Sequence, residues 1–119
     1  MERYDGESVV AVAGNEIVGH AMYVPSPDSR EAEVAVVVED SWQSKCVGTL
    51  VLSELAKRAR KRGIESFTGT VLGENRRALD FFLATSSEVR YELKDGSYLL
   101  RAPVPGDFES ACCLAGGRG

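Results

Sequence analysis

A chain of 119 residues, 44% hydrophobic and 27% charged, has the apolar content for one core and too little length for two ordinary domains. A net charge of -4 and a pI near 5.0 disfavour nucleic acid and anionic membranes as partners, because the average surface repels both. No run of about 18 apolar residues is available to span a bilayer, and Met1-Glu2-Arg3-Tyr4-Asp5-Gly6 lacks the basic start and apolar segment of a secretory signal; a cytoplasmic location is the expectation.

Residues 8–24 form two β-prone runs separated by Gly14-Asn15, a pair that takes positive φ at low cost, which predicts a hairpin. Pro25 and Pro27 break the pattern and give a loop. Val34-Ala35-Val36-Val37-Val38 is too short for a helix and rich in β-branched residues, so it reads as a buried strand. Residues 41–48 then show no apolar period. From there Leu52, Leu55, Ala56 and Ala59 recur at helical spacing until Gly63 stops the helix. Lys57, Arg58, Arg60, Lys61 and Arg62 suit the solvated face and the negative end of that helix, and need no nucleic acid to explain them.

Residues 64–72 read as a further strand, which a strand-helix-strand crossover makes parallel to the first. Gly73-Glu74-Asn75 introduces a second helix from Arg76 to about Ala84, and Lys94-Asp95-Gly96 marks a hairpin within residues 89–102. The folded domain is thus expected over residues 1–103, with 104–119 a mobile tail of small residues. Three cysteines, two of them adjacent at Cys112-Cys113, suggest no disulfide framework and a reducing compartment. His20 is the single histidine and has no second ligand at useful spacing, so no metal is expected and His20 reads as a strand or surface residue.

The turn between the central strand and the first helix carries the chemistry. Small and polar residues feeding a helix start leave backbone N–H groups without intrahelical partners, backed by the positive end of the helix dipole, and anions bind there. A Walker loop would need Gly-Lys-Ser/Thr after a glycine-rich run, which is absent.

The spacing Gln43-x-x-Cys46-x-Gly48 resembles the Gln/Arg-x-x-Gly-x-Gly/Ala acyl-CoA loop of the Gcn5-related N-acetyltransferases, the GNAT family. The order AEVAVVV, DSWQSKCVGTLVL, ARKRGIESFTGTVLGEN, RRALDFF is similar to that family's core over residues 8–102, most like its protein-lysine acetyltransferase branch. The resemblance implies an α/β fold with a mixed α+β sheet. Antiparallel strands flank one parallel β-α-β crossover, and the family's usual first strand and first two helices are missing. It also implies transfer of an acetyl group from acetyl-CoA, as acyl-donor substrate, to a primary amine such as a protein lysine.

By the same resemblance, backbone amides of Ser44, Lys45, Cys46, Val47, Gly48 and Thr49 would hold the diphosphate, with Gln43 beside them and Lys45 adding charge. Pantetheine would lie along Val36, Val37 and Val38, and the Asn75 side chain would bond it, although Asn75 serves equally as a helix N-cap. Glu33 is the expected general base, with Glu31, on the same strand face, its competitor; partial burial would tune Glu33 to that task.

Two residues depart from the family pattern. Cys46 replaces a glycine, at small cost if its φ is helical, and a thiol at a helix start is alternatively a reactive group. Phe82, seven residues after Asn75, replaces a tyrosine placed to protonate the leaving thiolate. Two other readings stand beside the enzyme: a non-catalytic acyl-CoA-binding module, and a shortened, inactive family member. The missing front elements predict an exposed apolar face and hence self-association, as in a homodimer.

Overall fold

The computed structural model describes residues 6–27, 30–43, 46–85 and 88–104. The chain runs β1 (Glu7–Ala13), β2 (Glu16–Pro25), β3 (Glu31–Val38), a 3-10 turn (Asp40–Trp42), α1 (Val47–Lys61), β4 (Ser66–Leu72), α2 (Arg76–Leu83), β5 (Arg90–Lys94) and β6 (Ser97–Pro103). Gly14 takes φ +64° in the expected two-residue turn, which sets Ala13 opposite Glu16. Asp95 and Gly96 both have positive φ, 53° and 83°, the pairing whose twist matches a hairpin.

The six strands make one sheet in the order β1-β2-β3-β4-β6-β5. Every neighbouring pair is antiparallel except β3 and β4, the strands joined through α1. The fold is therefore the mixed α/β arrangement with a single parallel crossover that the sequence implies.

Both helices lie on the same face. Leu52, Leu55, Ala56 and Ala59 of α1 pack with Ala21, Tyr23, Ala32, Val34 and Phe67, all buried. Leu79 of α2 packs with Val71 and Leu100, and Phe82 touches both clusters. Each leucine removed from water this way contributes about 1.5–3 kcal/mol.

The opposite face has no cover among the described residues. Val37 is 64% exposed there, and Val10, Val24, Leu72 and Leu99 are exposed beside it in register. The valine run of β3 is thus buried on one side only, through Ala32 and Val34, and not on both as an unbroken apolar run suggests. His20 stands half-buried in this face, between Val10 and Val37.

The end of α1 is closed by backbone geometry. Gly63 (φ +86°) donates to Arg60 O at 3.1 Å and Ile64 to Ala59 O at 3.0 Å, satisfying carbonyls that the helix leaves open. Near that end the Tyr23 hydroxyl donates to Glu7 at 3.0 Å, and Arg62 reaches the same carboxylate at 3.3 Å with Arg58 at 3.6 Å from its other oxygen. The basic cluster at this end of α1 is in part an ion-pair network that ties α1 to β1. Val104, expected in the tail, donates to Glu65 O at 2.9 Å and packs on the larger cluster; residues 105–119 lie outside the described residues. No described helix is long and apolar enough to cross a membrane, and no described group of side chains could hold a metal.

Candidate acyl-transfer site

β3 and β4 pair over three positions only, Glu31 with Ser66, Ala32 with Phe67 and Glu33 with Thr68. Beyond these, β3 stays with β2 as far as Val38 and β4 stays with β6 as far as Leu72, so the two parallel strands part and leave a wedge. Gly69 stands at its apex, where a Cβ would lie 3.7 Å from the Val34 carbonyl oxygen. An apolar cleft on the helical side of the apex is lined by Val34, Leu52, Phe67, Gly69, Phe82 and Leu100.

The wide end of the wedge faces the start of α1. Its first intrahelical bond runs from Leu50 N–H to Cys46 O at 2.9 Å, so the N–H groups of Val47, Gly48 and Thr49 have no acceptor within the helix. A helix start with open N–H groups carries the positive end of the helix dipole. Ser44 and Lys45, assigned to the same role, lie outside the described residues.

Cys46 is a correction. Its φ of 67° is left-handed and not helical, a conformation that costs a residue with a Cβ about 1–3 kcal/mol and that the family's glycine adopts freely. Its sulfur is disulfide-bonded, against the expectation that the cysteines form no disulfide framework, which also sets aside the alternative of a reactive thiol at this helix start; Cys112 and Cys113 lie outside the described residues.

Gln43 turns back from the turn onto the strand. Its Nε2 donates to Val38 O at 3.2 Å and to Asp40 Oδ1 at 3.3 Å, and its Oε1 accepts from Arg77 Nη1 of α2. One turn along α2, Phe81 packs over the helix start: a Cβ on Gly48 would meet its ring at 3.3 Å and the Val38 side chain at 3.5 Å. The backbone of Val36, Val37 and Val38 lies beyond the β3–β4 pairing and so borders the wedge, with the Val38 carbonyl already engaged by Gln43.

A parting parallel pair beside a helix start with free amides is an arrangement that other proteins share. The profile of the acetyltransferase (GNAT) family matches residues 1–84. The chain belongs to this family. Among solved structures, the GNAT domain of PAT from Streptomyces lividans matches with TM-score 0.75 at 26% identity, over 84% of this chain and 61% of that one. The PaiA N-acetyltransferase of Thermoplasma acidophilum, solved with coenzyme A, gives 0.74 at 18% identity over 83% and 61%. A cAMP-binding acyltransferase from Mycobacterium smegmatis gives 0.75 at 20% over 97% and 38%. No curated protein matches the chain. The chain thus spans about three-fifths of the length of the first two of these structures.

Within this GNAT fold, Glu33 is the last residue of β3 paired with β4, lies on the uncovered face and is exposed; the partial burial expected of it is absent. Its side chain makes no hydrogen bond or ion pair with any described residue. Glu31, its competitor, is half-buried and paired with Arg101 of β6. Asn75 Oδ1 accepts from Ala78 N–H at 3.2 Å, so it caps α2 and leaves its NH2 to other partners. Phe82 is packed at the cleft and brings no hydroxyl there. Arg77, which reaches Gln43 from α2, is a residue near the wedge that sequence reasoning did not single out. Its four-residue spacing from Phe81 was the available signal, since positions i and i+4 share a helix face.

Proposed function

We propose that this GNAT protein transfers an acetyl group from acetyl-CoA to a primary amine, a protein lysine being the favoured acceptor, by direct attack with Glu33 as general base. The observation that carries this reading is the wedge between β3 and β4 facing the acceptorless amides of Val47, Gly48 and Thr49. In this reading the amides receive the diphosphate, and pantetheine runs along Val36 to Val38 with the Asn75 NH2 as a further donor. The thioester carbonyl lies where the strands part, and unpaired strand N–H groups stabilise its developing negative charge.

The amine nitrogen then bonds to the carbonyl carbon, the carbon-sulfur bond breaks, and CoA leaves as thiolate. The amine proton passes to the Glu33 carboxylate, directly or through one water on the uncovered face. Water protonates the thiolate, because Phe82 has no hydroxyl to give. Glu33 is favoured over Glu31 because Arg101 already compensates the charge of Glu31.

General-base catalysis contributes about 10²–10⁴-fold. Turnover by Glu33→Gln is expected to fall by about 10²-fold with acetyl-CoA affinity retained, while Glu31→Gln falls less. Equal turnover by wild type and Glu33→Gln removes Glu33 from the mechanism. The exposure of Glu33 favours one second reading, a non-catalytic acyl-CoA-binding module, which predicts calorimetric binding of acetyl-CoA without turnover of any amine.

A further inference from the structure

We propose that Arg77 binds a phosphate of the acyl-CoA, reaching the wedge from α2 while the α1 amides serve it from the other side; this rests on the function proposed above. Three observations carry it. Arg77 and Phe81 lie one turn apart on α2, and Phe81 packs against Gly48, the second residue of α1, so the stripe they share faces the helix start. Arg77 donates to Gln43, three residues before Cys46, and so already bridges the mouth of the wedge.

The third observation is the charge balance. Neighbouring Arg76 is paired with Asp80 at 3.8 Å, whereas Arg77 meets no carboxylate among the described residues. Its one described partner is a neutral amide. That amide is oriented by its other end, since Val38 O and Asp40 Oδ1 accept only and require the NH2, which leaves Oε1 for the guanidinium. A guanidinium has five donors in a fork that fits phosphate, and an amide oxygen engages few of them. Gln43 therefore holds a cation in waiting, and an arriving phosphate replaces or joins it as the partner of Arg77.

The phosphate has two possible sources on the same ligand, the diphosphate and the ribose 3′-phosphate. Calorimetry of wild type, Arg77→Ala and Arg77→Lys with CoA, 3′-dephospho-CoA and S-acetylpantetheine separates them. Arg77→Ala is expected to bind CoA about tenfold more weakly, with partial recovery in Arg77→Lys and unchanged binding of S-acetylpantetheine. An equal loss with dephospho-CoA assigns the diphosphate; a loss confined to CoA assigns the 3′-phosphate. Unchanged CoA affinity in Arg77→Ala overturns the inference while the function stands, as does an equal loss for S-acetylpantetheine, which would mean a structural role. Wild type that fails to bind CoA overturns both.

Discussion

Gly19 couples the packing of the sheet to the start of α1, and replacing it by alanine tests whether the position of the free amides matters. Gly19 lies in β2 opposite Val38, and a Cβ built on it would stand 2.4 Å from Val47 Cγ1. Carbon atoms rest at about 3.5–4.0 Å, so Val47 has to retreat by about 1 Å or more. Val47 is buried and is the first residue of α1, with little room to rotate away. Overpacking of this kind costs about 1–3 kcal/mol, and each kcal/mol lowers Tm by roughly 4–8 °C in a domain of this size. Retreat of Val47 moves its N–H, the first of the three acceptorless amides, so Gly19→Ala should also weaken CoA binding, by about tenfold. Adding Val47→Ala removes the obstructing methyl and should restore much of both losses, a coupling of about 1 kcal/mol or more in a double-mutant cycle. Wild-type Tm and CoA affinity in Gly19→Ala, or losses that Val47→Ala leaves untouched, would refute the reasoning.

Asn75 separates capping from ligand binding by chemistry. Asn75→Asp keeps the oxygen that accepts from Ala78 N–H and should retain wild-type stability, whereas Asn75→Ala should lose about 0.5–2 kcal/mol in urea unfolding. If the NH2 serves pantetheine, both variants bind CoA more weakly; wild-type affinity in Asn75→Asp would leave Asn75 a cap only. Glu7 should contribute to acid stability. Burial pushes its carboxyl up, but hydrogen bonds from Tyr23, Arg62 and Arg58 and the charge of Arg62 outweigh this and hold it below the ordinary 4.5. A carboxyl lowered by folding contributes stability that is fully present above its unfolded value and is lost as pH falls through the folded one. The stability difference between wild type and Glu7→Gln should be flat from neutral pH to about 5 and shrink below 4.5; a difference independent of pH would remove the ion-pair explanation.

The parts of this fold that were legible in the sequence are those whose cause is local. The Leu52, Leu55, Ala56, Ala59 stripe has one helical face to offer, and all four residues are buried on it. Gly14, Gly63 and Gly96 each mark a positive φ that most residues with a Cβ resist. The β3 run misled because five apolar residues in a row do not say how many faces are covered, and here both helices chose the same one. Cys46 could not be settled locally: the small cost of replacing glycine there required a helical φ, and the turn into α1 is left-handed.

The site was legible to the extent that it is backbone. Free amides at a helix start and a parallel strand pair follow from the order strand, turn, helix, strand, whatever the side chains; that the pair parts after three positions was implied only by the family resemblance. What distinguishes Glu33 from Glu31 is different in kind, since the two share a strand, a face and a residue type. Arg101 separates them, and it stands beside them only because β6 and not β5 pairs with β4, which sets Arg101 opposite Thr68 and Thr68 opposite Glu33. That pairing is a property of the whole sheet. Arg77 repeats the lesson at the other end of the wedge: helical spacing joins it to Phe81, but only the packing of α2 over Gly48 turns their shared stripe toward the start of α1. In this protein the local order of the sequence therefore carries a helix start with open amides, while the contacts that set Glu33 apart from Glu31 and bring Arg77 to Gln43 join residues 34 to 70 positions apart.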